Sequence, residues 1–156
     1  MSVNTSAGTT LAVKAGDPGT YDSAGYATLF TSGSSVVGEI TDIGEFGREY
    51  QLVTHNPVGS RGIQKFKGSF NEGQMVLQLG LDTDDAGQIV MKAAADSDDD
   101  YSFKVTDPSG DIYFFQGKVM SWKVGLGNVD SISSATCNIE LTTNSAGVGV
   151  VETLAT

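Results

Sequence analysis

Few residues in this sequence have the type and spacing that chemistry requires, and the clearest group is an acidic run. Asp96, Asp98 and Asp100 stand at positions one, three and five of a calcium-loop pattern. Position six is Tyr101, where the sharp turn of such a loop needs glycine, and position twelve is Asp107, where a glutamate is usual. We therefore interpret the run as a solvated connection, and we predict no metal and no cofactor.

Catalytic arrangements find no better support in the sequence. His55 is the only imidazole, and no serine lies in a nucleophile-elbow pattern. A single cysteine, Cys137, excludes an internal disulfide, and one cysteine with one histidine cannot supply a structural zinc site. Gly125-Leu-Gly127 is a fragment of a phosphate-binding pattern, but it leads into no predicted helix and is better explained as a hairpin turn. We expect a protein that is not an enzyme.

Length and charge limit the remaining classes. The chain has 156 residues, which suits one domain, with 9 basic and 19 acidic side chains and a net charge of -10. This surplus of negative charge disfavours a surface that binds DNA or RNA, because phosphates would be repelled. No stretch approaches 18 consecutive apolar residues. We expect a soluble chain that is made in the cytoplasm and does not bind membranes.

The elements that must position any site are mostly strands. Strict alternation of apolar and polar residues predicts half-buried strands at Met75 to Leu81 and at Ala135 to Leu141. The turn Asp107-Pro-Ser-Gly-Asp111 predicts a hairpin between Tyr101 to Thr106 and a strand from Ile112 to about Lys123, with a bend or bulge at Gly117. Shorter strands are expected at Thr10 to Lys14, Tyr26 to Thr31 and Val36 to Ile43.

One segment has the period of a helix. Its apolar residues recur at the spacing of a single helix face: Ala86, Ile89, Val90, Ala93 and Ala94. We predict a helix at about 83–95, capped by Asp82 or Thr83. The whole pattern indicates a mainly β fold, an antiparallel β-sandwich or barrel with one packed α-helix.

The segment from Gly44 to Lys67 is predicted to be a long loop, and loops of this length are usually functional or disordered. Between Asn56 and Gly68 it carries three basic residues, Arg61, Lys65 and Lys67, and no acid. The stretch from Asp82 to Asp111, by contrast, holds nine of the nineteen acids. A basic projection on an acidic body favours head-to-tail contact between copies, because such contacts pair two different patches.

The order of elements resembles one known family. A helix, an acidic link, the hairpin Tyr101-Ser-Phe-Lys-Val-Thr-Asp-Pro-Ser-Gly-Asp-Ile-Tyr-Phe-Phe-Gln-Gly117 and a final strand ending in Glu140-Leu-Thr-Thr143 follow one another. This segment is similar to that of the major tail tube proteins of long-tailed, siphophage-type bacteriophages with non-contractile tails. It is more distantly similar to the tube protein of type VI secretion. The resemblance covers roughly Thr9 to Asn144.

The resemblance implies a structural virion protein whose rings, usually of six copies, stack into the tail tube through which DNA passes without specific binding. It implies one tube domain at 10–143, an N-terminal arm at 1–9 and a C-terminal arm at 144–156. The long loop at about 44–67 would then reach the neighbouring ring, and other tail proteins would bind the tube ends. The implied interface residues are Phe46, Arg48, Tyr50, Arg61, Ile63, Lys65, Phe66 and Lys67. These apolar residues could instead cover the subunit's own sheet.

Two alternatives remain open at this point. One is a monomeric β-sandwich that binds carbohydrate or protein on an aromatic platform of Trp122, Tyr113 and Phe115. The other is a secretion tube of the type VI kind, which differs from a phage tail tube in its partners rather than in its fold.

Overall fold

A computed structural model describes residue 3 and residues 5–154, and within them the chain forms ten strands and two helices. The strands are β1 (Thr10–Ala15), β2 (Ser35–Val36), β3 (Ile40–Asp42), β4 (Glu49–His55), β5 (Gln64–Asn71), β6 (Gln74–Gly80), β7 (Tyr101–Thr106), β8 (Ile112–Gly125), β9 (Ser134–Thr142) and β10 (Val151–Thr153). The helices are α1 (Ser23–Leu29) and α2 (Ala86–Ala95). The mainly β fold is confirmed, and the prediction of a single helix is wrong.

The main sheet is antiparallel, in the order β2-β1-β7-β8-β9-β6-β3. Its centre is the 14-residue strand β8, which pairs with β7 over Ile112 to Gly117 and with β9 over Gln116 to Gly125. Because the two partners use different halves of β8, the strand belongs to both halves of a curled sheet. The short strand β10 pairs with the first three residues of β8.

The segment between β2 and β3 closes the curl. β2 pairs with β1 and β3 pairs with β6, so two strands only three residues apart belong to opposite edges of the sheet. Backbone hydrogen bonds continue across the corner, from Val37 N to Leu11 O at 2.8 Å and from Gly80 N to Glu39 O at 2.7 Å. The two edges are therefore joined by one continuous piece of chain.

The core fills the inside of this curl. The alternation predicted for β6 and β9 is confirmed, because Met75, Leu77 and Leu79 are buried and so are the apolar residues of β9 at alternate positions. Phe103 of β7 stacks on Phe115 of β8 with ring centroids 5.3 Å apart. The apolar face of each strand thus points inward, as the period of two requires.

Helix α2 closes the core from inside the curl, but it begins later than predicted and buries a different face. Its N-cap is Asp85, rather than Asp82 or Thr83, and the Asp85 carboxylate accepts from Gln88 N at 3.0 Å. Gly87, Gln88, Met91 and Ala94 are buried, whereas Ile89 is 54% exposed. The predicted apolar face is therefore wrong in part, because a glycine and a hydrogen-bonded glutamine occupy the buried side.

Helix α1 replaces the strand that was predicted at Tyr26 to Thr31. Asp22 caps the helix by accepting from Gly25 N at 2.7 Å. Tyr26 is buried and stacks on Phe114 of β8, with ring centroids 5.4 Å apart, and burial raises the pKa of its hydroxyl. The helix covers the outer face of the sheet, since Phe114 points away from its neighbour Phe115 in the core.

The predicted long loop at 44–67 is also corrected. Strand β4 and the start of β5 lie within it, whereas the connections at 43–48 and 56–63 lie outside strands. Residues of the predicted C-terminal arm form β10, so part of that arm is paired with β8. Arm residues 1, 2, 4, 155 and 156 lie outside the described residues. Over the described part of the chain, no helix combines the length and apolar character needed to cross a membrane.

Candidate assembly interface

Strands β4 and β5 form a hairpin that is a separate two-stranded sheet. Their pairing runs from Glu49 opposite Asn71 at the base to His55 opposite Gln64 near the tip, with a register shift between Tyr50 and Leu52. All seven residues of β4 are exposed, as are six of the eight residues of β5. The hairpin therefore projects from the domain with both of its faces in solvent.

Many of the exposed hairpin side chains are apolar. Leu52 is 66% exposed, Val53 48%, Ile63 57% and Phe66 54%, and Val58 at the tip is fully exposed. A lone two-stranded hairpin is at best marginally stable in water, and contiguous exposed apolar surface usually marks an interaction site. This exposed apolar surface makes the hairpin our candidate interface among the described residues.

The tip of the hairpin is basic, as the sequence predicts. Arg61, Lys65 and Lys67 are exposed, and the ion pairs found among the described residues join other groups, Arg48 to Glu72 and Lys118 to Asp100. Lys67 lies over the ring of Tyr50, with 4.9 Å from its Nζ to the centroid. Arg61 and Lys65 therefore have no carboxylate partner within the described part of their own chain.

The base of the hairpin is held by one buried carboxylate. Glu72 is 3% exposed, and its Oε1 lies 2.8 Å from Arg48 Nη2 and 3.0 Å from Arg48 Nε. The same guanidinium lies 3.8 Å from the centre of the Phe70 ring and donates to the Tyr50 hydroxyl at 3.3 Å. A side chain at Gly149 would collide with Glu72, since a Cβ there would lie 2.2 Å from the carboxyl carbon. The C-terminal segment consequently packs against this base.

The eight predicted interface residues fall into three places. Arg61, Ile63, Lys65, Phe66 and Lys67 lie on the hairpin and are exposed. Arg48 and Tyr50 form the base described above. Phe46 is half-buried and packs on Tyr113 and Phe115 at 5.4 and 5.6 Å between ring centroids, so it covers the subunit's own sheet. Their role in an interface stays a prediction.

Sequence reasoning missed three exposed hairpin residues, Leu52, Val53 and Val58. Leu52 and Val53 lie in a strand without the alternation that marks a half-buried strand, because neither face is covered by this chain, and Val58 lies in the connection between β4 and β5. The only available signal was an extended, apolar stretch at Tyr50 to Thr54 inside a segment without helical period.

The hairpin and the start of the acidic segment, at Asp82, lie at opposite ends of the sheet. β6 begins beside the hairpin, with Gln74 opposite Glu140, and ends with Gly80 opposite Ser134. The turn between β8 and β9 therefore belongs to the end remote from the hairpin. Leu81 N donates to Ser133 O at 2.9 Å, which attaches the start of the acidic segment to that remote end. The acids at the start of this segment, Asp82 and Asp84, thus lie at the end remote from the basic hairpin, whereas Asp107 and Asp111 lie in the β7–β8 turn at the hairpin end.

The structure does not bring together the residues of the other sites that the sequence suggested. Phe115 is fully buried, Tyr113 packs on Phe46, and Trp122 lies in the remote half of β8, so the three aromatic residues form no common platform. Among the described residues, no group of three or more His, Cys, Asp or Glu side chains is placed to hold a metal ion. His55 is exposed at the end of β4.

Comparison with known proteins supports the fold through structure rather than sequence. No family model matches the chain, and no curated protein matches it. Among solved structures, a chain of the anti-feeding prophage baseplate, solved by cryo-EM with six-fold symmetrisation, aligns with a TM-score of 0.65 and 9% identity, over 91% of this chain and 93% of that chain. The SPP1 tail tube aligns with a TM-score of 0.62 and 11% identity, over 94% of this chain and 77% of that chain. The fold is therefore that of the tail tube neighbours.

Proposed function

We propose that this protein is a structural virion subunit whose copies form rings, and that these rings stack into a phage tail tube that conducts DNA into the host. The observation that carries the proposal is the β4–β5 hairpin, which projects with both faces exposed from a domain whose fold matches tail proteins. A subunit that leaves such a hairpin uncovered gains stability when a neighbouring copy covers it. The role requires no catalysis.

The polarity of charge supports stacking rather than a closed pair. An interface that joins two different patches repeats from copy to copy and produces rings or open filaments, whereas identical patches stop at a dimer. The basic hairpin and the acidic remote end are two such patches. Rings of six remain the expectation from the family resemblance, and the virion tail, assembled in the host cytoplasm, is the proposed location.

The overall charge suits a channel for DNA. Each copy carries -10, so a ring of six would carry about -60. A polyanion inside such a ring meets net repulsion and little opportunity for tight binding. DNA would therefore pass through the lumen without forming a specific complex.

A second candidate is a ring at the end of a tube, or the tube of a secretion system, with the same fold and other partners. The alignment with a baseplate chain favours keeping it, because that alignment covers 93% of the neighbour's length. The two roles differ in one physical property: a tube subunit polymerises without limit, whereas an end ring stops at a closed assembly.

The test is polymerisation of the purified chain. Light scattering over a concentration series and negative-stain images should show stacked rings or tubes of the wild-type chain. Replacing residues 52–68 by a short Asn-Gly turn should leave the domain folded by circular dichroism and should abolish stacking. Discrete rings without stacking would favour the second candidate, and a 16.2 kDa monomer at every concentration would refute both.

A further inference from the structure

An apolar groove lies at the end of the sheet remote from the hairpin, between helix α2 and the last residues of β8. A register shift between Val119 and Ser121 sets the local direction of the strand, so that Trp122 stands opposite Cys137 and Val124 opposite Ala135, on the inner face. The predicted bulge at Gly117 is thus found a few residues later. The groove has a volume of about 390 Å³, and its apolar lining is Leu81, Ile89, Ala93, Trp122 and Val124.

This groove is apolar and uncovered. Ile89 is 54% exposed and Val124 is 50% exposed, although both face the half-buried ring of Trp122 across the groove. Ile89 and Ala93 belong to the apolar stripe that the sequence predicts for the buried face of α2. In the structure the core does not use them, because Gln88 and Met91 occupy the buried side.

The rim of the groove carries charge of the sign opposite to that of the hairpin tip. Asp82 and Asp96 line its edge, with Lys92 as its one basic residue, and Asp84 follows two residues after Asp82. The net sign around the groove is therefore negative. A basic, apolar segment is the kind of partner that such a groove recognises.

We infer that this groove receives the tip of the β4–β5 hairpin of a second copy of the chain, an inference that rests on the proposed function. The tip supplies exposed apolar side chains, Val58 and Ile63, for the Trp122 groove. It also supplies Arg61 and Lys65, which lack a carboxylate partner within the described part of their own chain.

The position of the two surfaces favours a second copy over other occupants. Hairpin and groove lie at opposite ends of the same sheet, so one subunit's tip cannot fill its own groove. A contact between the two would repeat along the strand direction and would build an open stack. The register of the sheet and the pairing of charges thus lead to the same arrangement, in which every groove but the last is filled.

The first experiment is a cross-link. A chain carrying Val58→Cys together with Val124→Cys should form, under oxidising conditions, a ladder of disulfide-linked multiples of 16.2 kDa that collapses on reduction. Native Cys137 is fully buried and does not compete. The matched control pairs Val58→Cys with Met120→Cys, since Met120 is 58% exposed on β8 near the register shift and does not line the groove. The control should give no ladder.

The second experiment separates a real contact from misfolding. Reversing the tip charges with Arg61→Glu and Lys65→Glu should raise the critical concentration for assembly about tenfold or more, and so should Asp82→Lys with Asp96→Lys. Combining all four substitutions in one chain should restore assembly, which a folding defect cannot do. Because Trp122 is the only tryptophan, its emission should also shift to shorter wavelength as the groove is filled.

The outcomes of these experiments distinguish failure of the groove assignment from failure of the proposed tube function. A wild-type chain that stays monomeric, without a cross-linked ladder, overturns both. Tubes that form while the ladder, the charge rescue and the tryptophan shift are all missing leave the tube function standing and overturn the groove assignment.

Discussion

Replacing Gln88 with methionine should lower the free energy of unfolding, because the buried Gln88 side chain joins three parts of the fold through hydrogen bonds. The Gln88 amide is 2% exposed and makes three hydrogen bonds, donating to Gly38 O at 3.0 Å and to Gly80 O at 2.9 Å and accepting from Asp82 N at 2.9 Å. It therefore joins α2 to the corner between β2 and β3 and to the end of β6. Methionine fills a similar volume and supplies none of these bonds.

The magnitude follows from the groups left behind. An unpaired buried polar group costs about 1–3 kcal/mol, and Gly38 O and Gly80 O would both lose their side-chain partner. Asp82 is exposed, so its N–H can bind water at little cost. We expect a loss of about 3 kcal/mol in the free energy of unfolding. For a chain of this size that lowers Tm by about 6–12 °C.

The assay is urea unfolding followed by Trp122 fluorescence and by circular dichroism, with a dilute sample so that assembly does not contribute. Gln78→Met is the matched control, because Gln78 is exposed on β6 and its side chain makes none of the hydrogen bonds described here. It should change stability by less than about 0.5 kcal/mol. If Gln88→Met proves as stable as the control, the hydrogen bonds do not hold the corner and our account of α2 is wrong.

Two further predictions concern single groups. Burial raises the pKa of the Cys137 thiol to about 12 from its usual 9.0, so at pH 8 a thiol reagent should modify the native chain about a thousandfold more slowly than the urea-unfolded chain, with equal rates refuting burial. Arg48→Met leaves the buried Glu72 carboxylate without its cation and should make the β4–β5 hairpin more sensitive to limited proteolysis. Adding Glu72→Met should restore protection, and the pair has no structural role if the single variant is cleaved like wild type.

Strands covered on one face could be predicted from the sequence, because their environment imposes alternation. β6 and β9 have the core on one side and polar neighbours on the other. Apolar and polar residues therefore alternate along Met75 to Leu81 and along Ala135 to Leu141. The β7–β8 hairpin was predictable for a different reason. Its turn needs Pro and Gly at set positions, and both are present between Asp107 and Asp111.

The helices were predicted less well because tertiary contacts determine them. α1 has only seven residues, too few to show a helical period, and it is held by the Asp22 cap and by burial of Tyr26 on Phe114. In α2 the buried positions include Gly87, where a Cβ would lie 2.3 Å from Val36 O, and Gln88. Glycine and glutamine do not count as apolar residues when a helix face is predicted from spacing. The predicted apolar face of α2 therefore differs in part from the face that is buried.

The position of the candidate site in the sequence could be predicted from its charged residues, but its hairpin structure could not. Three basic residues without an acid between Asn56 and Gly68 identified the segment, whereas its strands went unrecognised because both of their faces are exposed. Sequence alone could not show that the ring of Phe46 packs on Tyr113 and Phe115, and its place in an interface stays a prediction. A residue's partner in space is a property of the whole fold.

The groove and the hairpin share one physical explanation for their misleading patterns. Each carries apolar residues that the subunit's own core does not use, Ile89 and Val124 in the groove, Ile63 and Phe66 on the hairpin. Pattern analysis assumes that apolar residues are buried by their own chain. If a second copy buries these residues, the spacing of apolar residues in both segments matches burial in the assembly. The same spacing then fails to match burial in the single subunit at the places where copies meet.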